Sequence, residues 1–160
     1  MIRKNVTALR HHLFRLMSLW PPYLGAGIYV QSIDPHCRRI EVRMRMLPWT
    51  RNYVGTHFGG SLYAMTDPFF MLMLIQNLGK DYIIWDKAAS IRFKKPGTGL
   101  VRAVFELPES RLAEIREQLK TAAKIEPVFH VNVLNAAGEV VAEVEKLLYI
   151  RHKKSLRQPL

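Results

Sequence analysis

The sequence predicts an α+β fold in which an antiparallel sheet wraps around one long internal helix. Two observations carry that prediction. From Ser61 to Gly79 the apolar residues fall on every side of the chain rather than along one stripe, which is the pattern of a fully buried helix. At roughly 20 residues and ~1.5 Å per residue such a helix is about 30 Å long, the width of a small domain. On both sides of it, short segments alternate apolar and polar residues with period two, as half-buried antiparallel strands do. A helix that is apolar all round must be covered all round, and only the sheet is available to do it.

The elements follow in order. Val6, Leu9, Leu13, Leu16 and Trp20 recur at steps of three and four, opposite Lys4, Thr7, Arg10, His11 and Arg15, so an amphipathic helix is expected over about 4–20. Pro21-Pro22 should end it, since proline cannot continue the ladder. Three readings of this helix stand side by side: a packed N-terminal element, an organelle transit peptide (it is Arg-rich and acid-free), and a membrane-surface anchor. Gly27 to Ile33 reads as a strand turned by Asp34-Pro35-His36. Arg39 to Met46 alternates strictly, with Ile40, Val42, Met44 and Met46 on one face. Leu47-Pro48-Trp49 breaks that strand ahead of the glycine loop and the long helix. Period two returns with Ala89, Ile91 and Phe93, up to the turn Pro96-Gly-Thr-Gly99, and Leu100 to Leu107 is the next strand. A second amphipathic helix puts Leu112, Ile115 and Leu119 inward, with Ser110 as its expected cap. Pro127 to Leu134 and Glu139 to Ile150 form a hairpin about Asn135-Ala-Ala-Gly138. No repeat or linker divides the chain, so one domain is expected over 1–160, with its core over about 25–150.

Composition narrows the function. A formal charge of +11 and a pI near 10.1 point to an acidic partner: nucleic acid, anionic lipid or a phosphate-bearing small molecule. No Asp or Glu precedes Asp34, and the tail from Arg151 to Arg157 is basic, while charges of both signs are interspersed between. That describes a soluble surface with basic ends, and no nucleic-acid partner is expected. A single cysteine, Cys37, excludes an intramolecular disulfide framework and suits a reducing, cytoplasmic setting. The run from Leu62 to Leu78 contains Asp67, Pro68 and Gln76, and a charge near a bilayer centre costs ~2.5–3.5 kcal/mol. It is read as a core helix and not as a membrane span.

The chemistry gathers where the long helix begins. Gly55, Gly59 and Gly60 open it, which leaves its first N–H groups facing whatever lies in front of the loop, an arrangement that favours negative charge. Asp67 follows about two turns further in. No metal site is expected: His11 and His12 point to different helix faces, and His36, His130 and His152 are isolated. The glycine loop lacks the lysine of a phosphate loop, and no Gly-x-Ser-x-Gly elbow or Cys–His pairing occurs. Asp67 has two readings. Asp before Pro is a favoured start for a helix; alternatively it is a carboxylate in an apolar wall, shifted by desolvation and able to act as a general base. Asn52 is either a turn residue or a neutral group that holds a water or carbonyl oxygen.

Asn52-x-x-Gly55-Thr-x-x-Gly59-Gly60, followed by six residues and Asp67, resembles the start of the central helix in hotdog-fold acyl-CoA thioesterases of the phenylacetyl-CoA type. The segment Trp85 to Gly97 with the later hairpin is similar to a poorly characterised branch of that superfamily. The likeness runs from about Gly25 to Ile150. It implies the hotdog fold, and a dimer (or a dimer of dimers) joined sheet edge to sheet edge with sites at the interface. It also implies hydrolysis of an acyl-CoA or acyl-carrier-protein thioester without a metal or other cofactor. By position Asp67 matches the catalytic carboxylate, acting in a site completed by the other subunit. Gly59, with Gly60 beside it, supplies the N–H that polarises the thioester carbonyl, and Asn52 helps place the water. Phe58 and Ser61 fall at the substrate, and Arg92, Lys94 and Lys95 are candidates for the CoA phosphates. One position departs: many relatives carry His immediately before the two glycines, where this chain has Phe58, with His57 one residue earlier. His57 keeps open a hydratase or dehydratase, and a non-catalytic acyl-binding module is the third reading.

Overall fold

The computed structural model describes residues 16–153. Most of the N-terminal helix expected over 4–20 therefore lies outside the described residues. Within the described part of that span the chain makes a 3₁₀ turn, Met17–Leu19. Pro21-Pro22 does more than stop it: with Pro21 in its first turn a short helix α1 forms, Pro21–Ala26, because a fixed φ and a missing N–H cost nothing there. Gly27 closes α1 at φ 73°, and its missing side chain matters: a Cβ there would stand 2.6 Å from the carbonyl oxygen of Arg45. The strands β1 (Ile28–Ile33) and β2 (Arg39–Arg45) then pair antiparallel.

Two helices follow where one long one is expected: α2 (Gly59–Ala64) and α3 (Phe69–Leu78). The break is Pro68, which has no N–H to give and whose ring excludes the carbonyl four residues back. Thr66 N–H and hydroxyl both turn back to Tyr63 O, Asp67 N–H reaches Ala64 O at 3.2 Å, and the ladder restarts with Leu72 N–H on Pro68 O. Nor is the second piece buried all round. Phe69, Phe70, Met73 and Leu74 are buried, Met71 and Leu72 half-buried, and Ile75 is 37% exposed.

The remaining elements are β3 (Tyr82–Phe93), β4 (Leu100–Glu106), α4 (Glu109–Thr121), β5 (Lys124–Ile125), β6 (Val128–Leu134) and β7 (Val140–His152). Ser110 falls inside the first turn of α4 and makes no capping bond; Pro108 precedes the helix instead. The strands form one sheet in the order β1-β2-β4-β6-β7-β3, with β5 added against β7, and every pairing is antiparallel. Its inner face meets α3 through Ile40, Val42 and Met44 of β2, Val101, Ala103 and Phe105 of β4, and Val144 and Leu148 of β7, all buried. Phe70 stacks on Phe129 at 4.7 Å and Phe69 lies 4.9 Å from Phe105. Each such side chain contributes roughly 1.5–3 kcal/mol by leaving water, so α3 is the element the sheet is wrapped around.

Candidate active site

Asp67 sits in the break between α2 and α3, and four elements converge on it. From α1, the Tyr23 hydroxyl donates to its backbone carbonyl. From β7, the Lys146 ammonium donates to its Oδ1 at 2.8 Å. From β3, Asp86 reaches the same ammonium, its Oδ1 3.4 Å from Nζ, beside Asp67. From α2, the Tyr63 hydroxyl lies 3.4 Å from Nζ, which also sits 5.1 Å from the centre of the Tyr63 ring. Asp67 does not cap α3: that helix has no side-chain cap. The carboxylate points instead toward the lysine and the surface, with 46% of its side chain exposed, while Lys146 is 1% exposed.

Lys146 occupies an inward position of β7, in line with the buried Val144, Leu148 and Ile150. A lysine in the apolar row of an otherwise regular strand is a readable signal, and alternation along 139–150 assigns it inward. Taking an ammonium out of water is costly unless it is paired. Burial alone would lower its pKa, but the hydrogen bond to Asp67 and the charges of Asp67 and Asp86 outweigh burial and hold it above the usual lysine range. Asp86 is raised to about 6, first by burial and then by its interaction with Asp67, against the pull of Lys146. Its Oδ1 is buried with no hydrogen-bond partner; the nearby Nζ is close enough for an ion pair but wrongly directed for a hydrogen bond. Burial likewise keeps the Tyr23 phenol protonated well above its usual range, helped by the nearby Asp67 charge.

The glycine loop lies in front of α2. Asn52 holds it: its amide oxygen accepts from the N–H groups of Val54 and Thr56, and its amide nitrogen donates to Thr56 Oγ1 at 2.7 Å and to His57 O at 3.2 Å. His57 is 2% exposed. Its backbone N–H donates to Gly97 O, its ring Nε2 is 2.9 Å from Gly99 O, and Nδ1 is buried without a partner. Burial lowers its pKa, against the hydrogen bond to Gly99, and so favours the neutral ring. It fastens the loop to the turn after β3. Gly59 and Gly60 admit two rings: a Cβ would stand 2.9 Å from Phe93 at Gly59 and 2.4 Å from Phe58 at Gly60.

The loop separates two clefts. One, of about 420 Å³, has His57, Gly59, Leu62, Phe93, Lys94 and Lys95 in its walls; the other, of about 320 Å³, is bounded by Trp49, Asn52, Phe58 and Ser61. Asp67 lines neither. Gly59 and the two lysines are thus brought together, and Phe58 and Ser61 share the neighbouring cleft. Arg92 is not with them: it faces the outer side of the sheet, opposite Glu143, beside a hollow of about 240 Å³. Lys94 is 3.4 Å from Glu143, and Lys95 pairs with Glu139 at 2.5 Å. Among the described residues no cluster of His, Cys, Asp or Glu suited to a metal ion occurs, and no helix is long and apolar enough to cross a membrane.

Solved structures with this arrangement are hotdog folds, and the chain has that fold. A Pseudomonas aeruginosa protein of unknown function, described as a probable thioesterase, is 21% identical and superposes with a TM-score of 0.74 over 91% of this chain and 95% of its own. A Haemophilus influenzae thioesterase is 12% identical, with a TM-score of 0.62 over 86% and 87%. The Escherichia coli PaaI protein from the phenylacetic acid degradation operon is 16% identical, with a TM-score of 0.58 over 86% and 90%. No curated protein matches the chain. The family model described as a domain of unknown function, DUF4442, matches residues 10–150, and the chain belongs to that family.

Proposed function

We propose that this protein is an acyl-thioester hydrolase that works as an edge-to-edge dimer. The observation that carries the reading is Asp67: a carboxylate that caps nothing, is held by a buried ammonium and leaves nearly half its side chain open at the surface. In the mechanism, the thioester lies in the 420 Å³ cleft of one protomer with its carbonyl oxygen at the Gly59 N–H. Asp67 of the partner subunit orients a water and takes its proton as it attacks. The C–S bond then breaks and the thiolate leaves with a proton. The dimer is supported by β3, a 12-residue strand that among the described residues pairs only with β7 and whose own stretch Lys87–Ser90 is exposed; an open edge of that length is normally paired or covered. CoA or a carrier-protein phosphopantetheine suits the basic rim at Lys94 and Lys95.

A hydratase needs an acid–base histidine in contact with substrate, and His57 is buried with its Nε2 engaged at Gly99, so hydrolysis is the better-supported chemistry. The test is a panel of acyl-CoAs assayed for free thiol, with Asp67→Asn beside the native protein. Thiol release that falls at least about a hundredfold in kcat in the variant is expected. Water addition to an enoyl-CoA, or tight acyl-CoA binding without turnover, would replace this reading.

A further inference from the structure

The buried cluster behind Asp67 holds two carboxyl groups on one ammonium. Neither cleft is lined by Asp67, Asp86 or Lys146. Replacing a buried ion pair by well-packed apolar groups is often neutral or stabilising, and Val144 and Leu148 show what this row of β7 otherwise carries. Among the described residues the cluster is also one positive charge short: Lys146 balances one carboxylate, and Asp67 and Asp86 lie 2.8 Å and 3.4 Å from the same Nζ. Asp86 is the less exposed of the two, 19% against 46%, and a carboxylate beside it disfavours its charged form.

We propose that Lys146 is a positioning residue that clamps Asp67 beside Asp86, so that the two carboxyl groups act as one proton-holding pair behind the attacking water. This rests on the hydrolase reading above. In the step itself the water oxygen bonds to the acyl carbon, its proton passes to the pair, the C–S bond breaks, and the pair returns the proton to the departing sulfur. No other reactant is needed. Among the described residues the charged and titratable groups facing the pair are Lys146 from β7, Tyr63 from α2 and Tyr23 from α1, whose hydroxyl holds the Asp67 carbonyl and whose phenol feels the Asp67 charge. Lys146 is too deeply buried to meet substrate, so its removal acts on the rate and not on binding. The raised Asp86 carboxyl agrees with a proton shared at near-neutral pH.

Three variants test this in the full chain: Asp86→Asn, Lys146→Met, and the double Lys146→Met/Asp86→Asn, which leaves no buried charge unpaired and so guards against simple misfolding. The double variant is expected to lose at least about tenfold in kcat, the scale of a misplaced catalytic group, with KM within about threefold. In Asp86→Asn the acid limb of the pH–rate profile is expected to move by about one pH unit or more, with circular dichroism unchanged. In Lys146→Met the limb moves to higher pH, because removing the cation makes both acids harder to ionise. A double variant with native kcat, or an Asp86→Asn profile that superposes on the native one, overturns the proposal. Carboxyl-carbon NMR titration reads the pair without substrate: Asp67 and Asp86 titrating jointly, with Asp67 altered in Asp86→Asn, is expected, and independent titration overturns the clamp. Joint titration in a protein that cleaves no acyl-CoA overturns the hydrolase reading instead, so the two failures are told apart.

Discussion

Single residues divide here into those that hold the loop and those that face a reaction. His57 belongs to the first kind: its backbone N–H and its ring Nε2 both bond to the turn at Gly97–Gly99, and its carbonyl accepts from Asn52. Replacing it with Ala is therefore expected to lower kcat less than about tenfold, a positioning effect, while lowering thermal stability. The pH dependence of stability separates His57 from Asp86. The His57 pKa is depressed in the fold, so the unfolded chain binds more protons below about pH 6.5, and stability falls as the pH drops through that value. The Asp86 pKa is raised to about 6, so the folded chain binds more protons between about pH 4 and 6, and its contribution is lost as the pH rises through that window. Thermal melts across pH 4–8 should accordingly show Asp86→Asn gaining stability at pH 7 relative to the native protein, and gaining nothing at pH 4. An equal change at both ends would mean that the Asp86 carboxyl is not held protonated.

Elements meet in this fold at junctions where backbone geometry decides the outcome. The α1–β1 corner turns on Gly27, which combines a left-handed φ with a backbone oxygen 2.6 Å from any added Cβ. Gly27→Ala is expected to cost more than about 1 kcal/mol in denaturant unfolding, because strain and the clash add. Gly138 also has a positive φ but open space around it, so Gly138→Ala should cost less, with strain alone. Similar losses at the two positions would show that Arg45 moves aside without penalty. The α2–α3 break matters more for chemistry. An uninterrupted helix would bury Asp67 among apolar neighbours or turn it to solvent by rotation. The break lets Tyr23 hold its carbonyl and Lys146 hold its carboxylate at the same time.

At the level of the whole molecule the open edge of β3 is the decisive surface. Light scattering should give twice 18.6 kDa or a multiple of it. Ala88 and Ser90 are exposed on the outer row of that strand, so Ala88→Lys/Ser90→Lys should set like charges against each other in a paired copy and release monomers. Activity should fall in parallel, since the cleft and Asp67 then belong to different particles. A monomer with full activity would remove the shared site. Ionic strength supplies a further check: acyl-CoA binding should weaken between low and high salt as Lys94 and Lys95 are screened over about 8 Å, although each already faces a glutamate, which limits the effect.

Alternation and turn residues alone determined most of the architecture. The strands at Ile28–Ile33, Arg39–Arg45, Leu100–Glu106 and Val128–Leu134 lie where period two places them, because a strand half in water must alternate. The apolar run at 61–78 marked the centre of the fold, and the glycines before it marked the loop. Only the tertiary structure decided what Asp67 is attached to. Lys146 follows it by 79 residues and Asp86 lies on a different strand, so no local spacing joins them; packing β7 and β3 against the helix break does. The same holds for Pro68. Its presence in the run was visible, but whether the helix bent, broke or began there depended on which partners could take the freed groups. Tyr23, brought from near the start of the described chain, took the Asp67 carbonyl, and Ala64 took the Asp67 N–H.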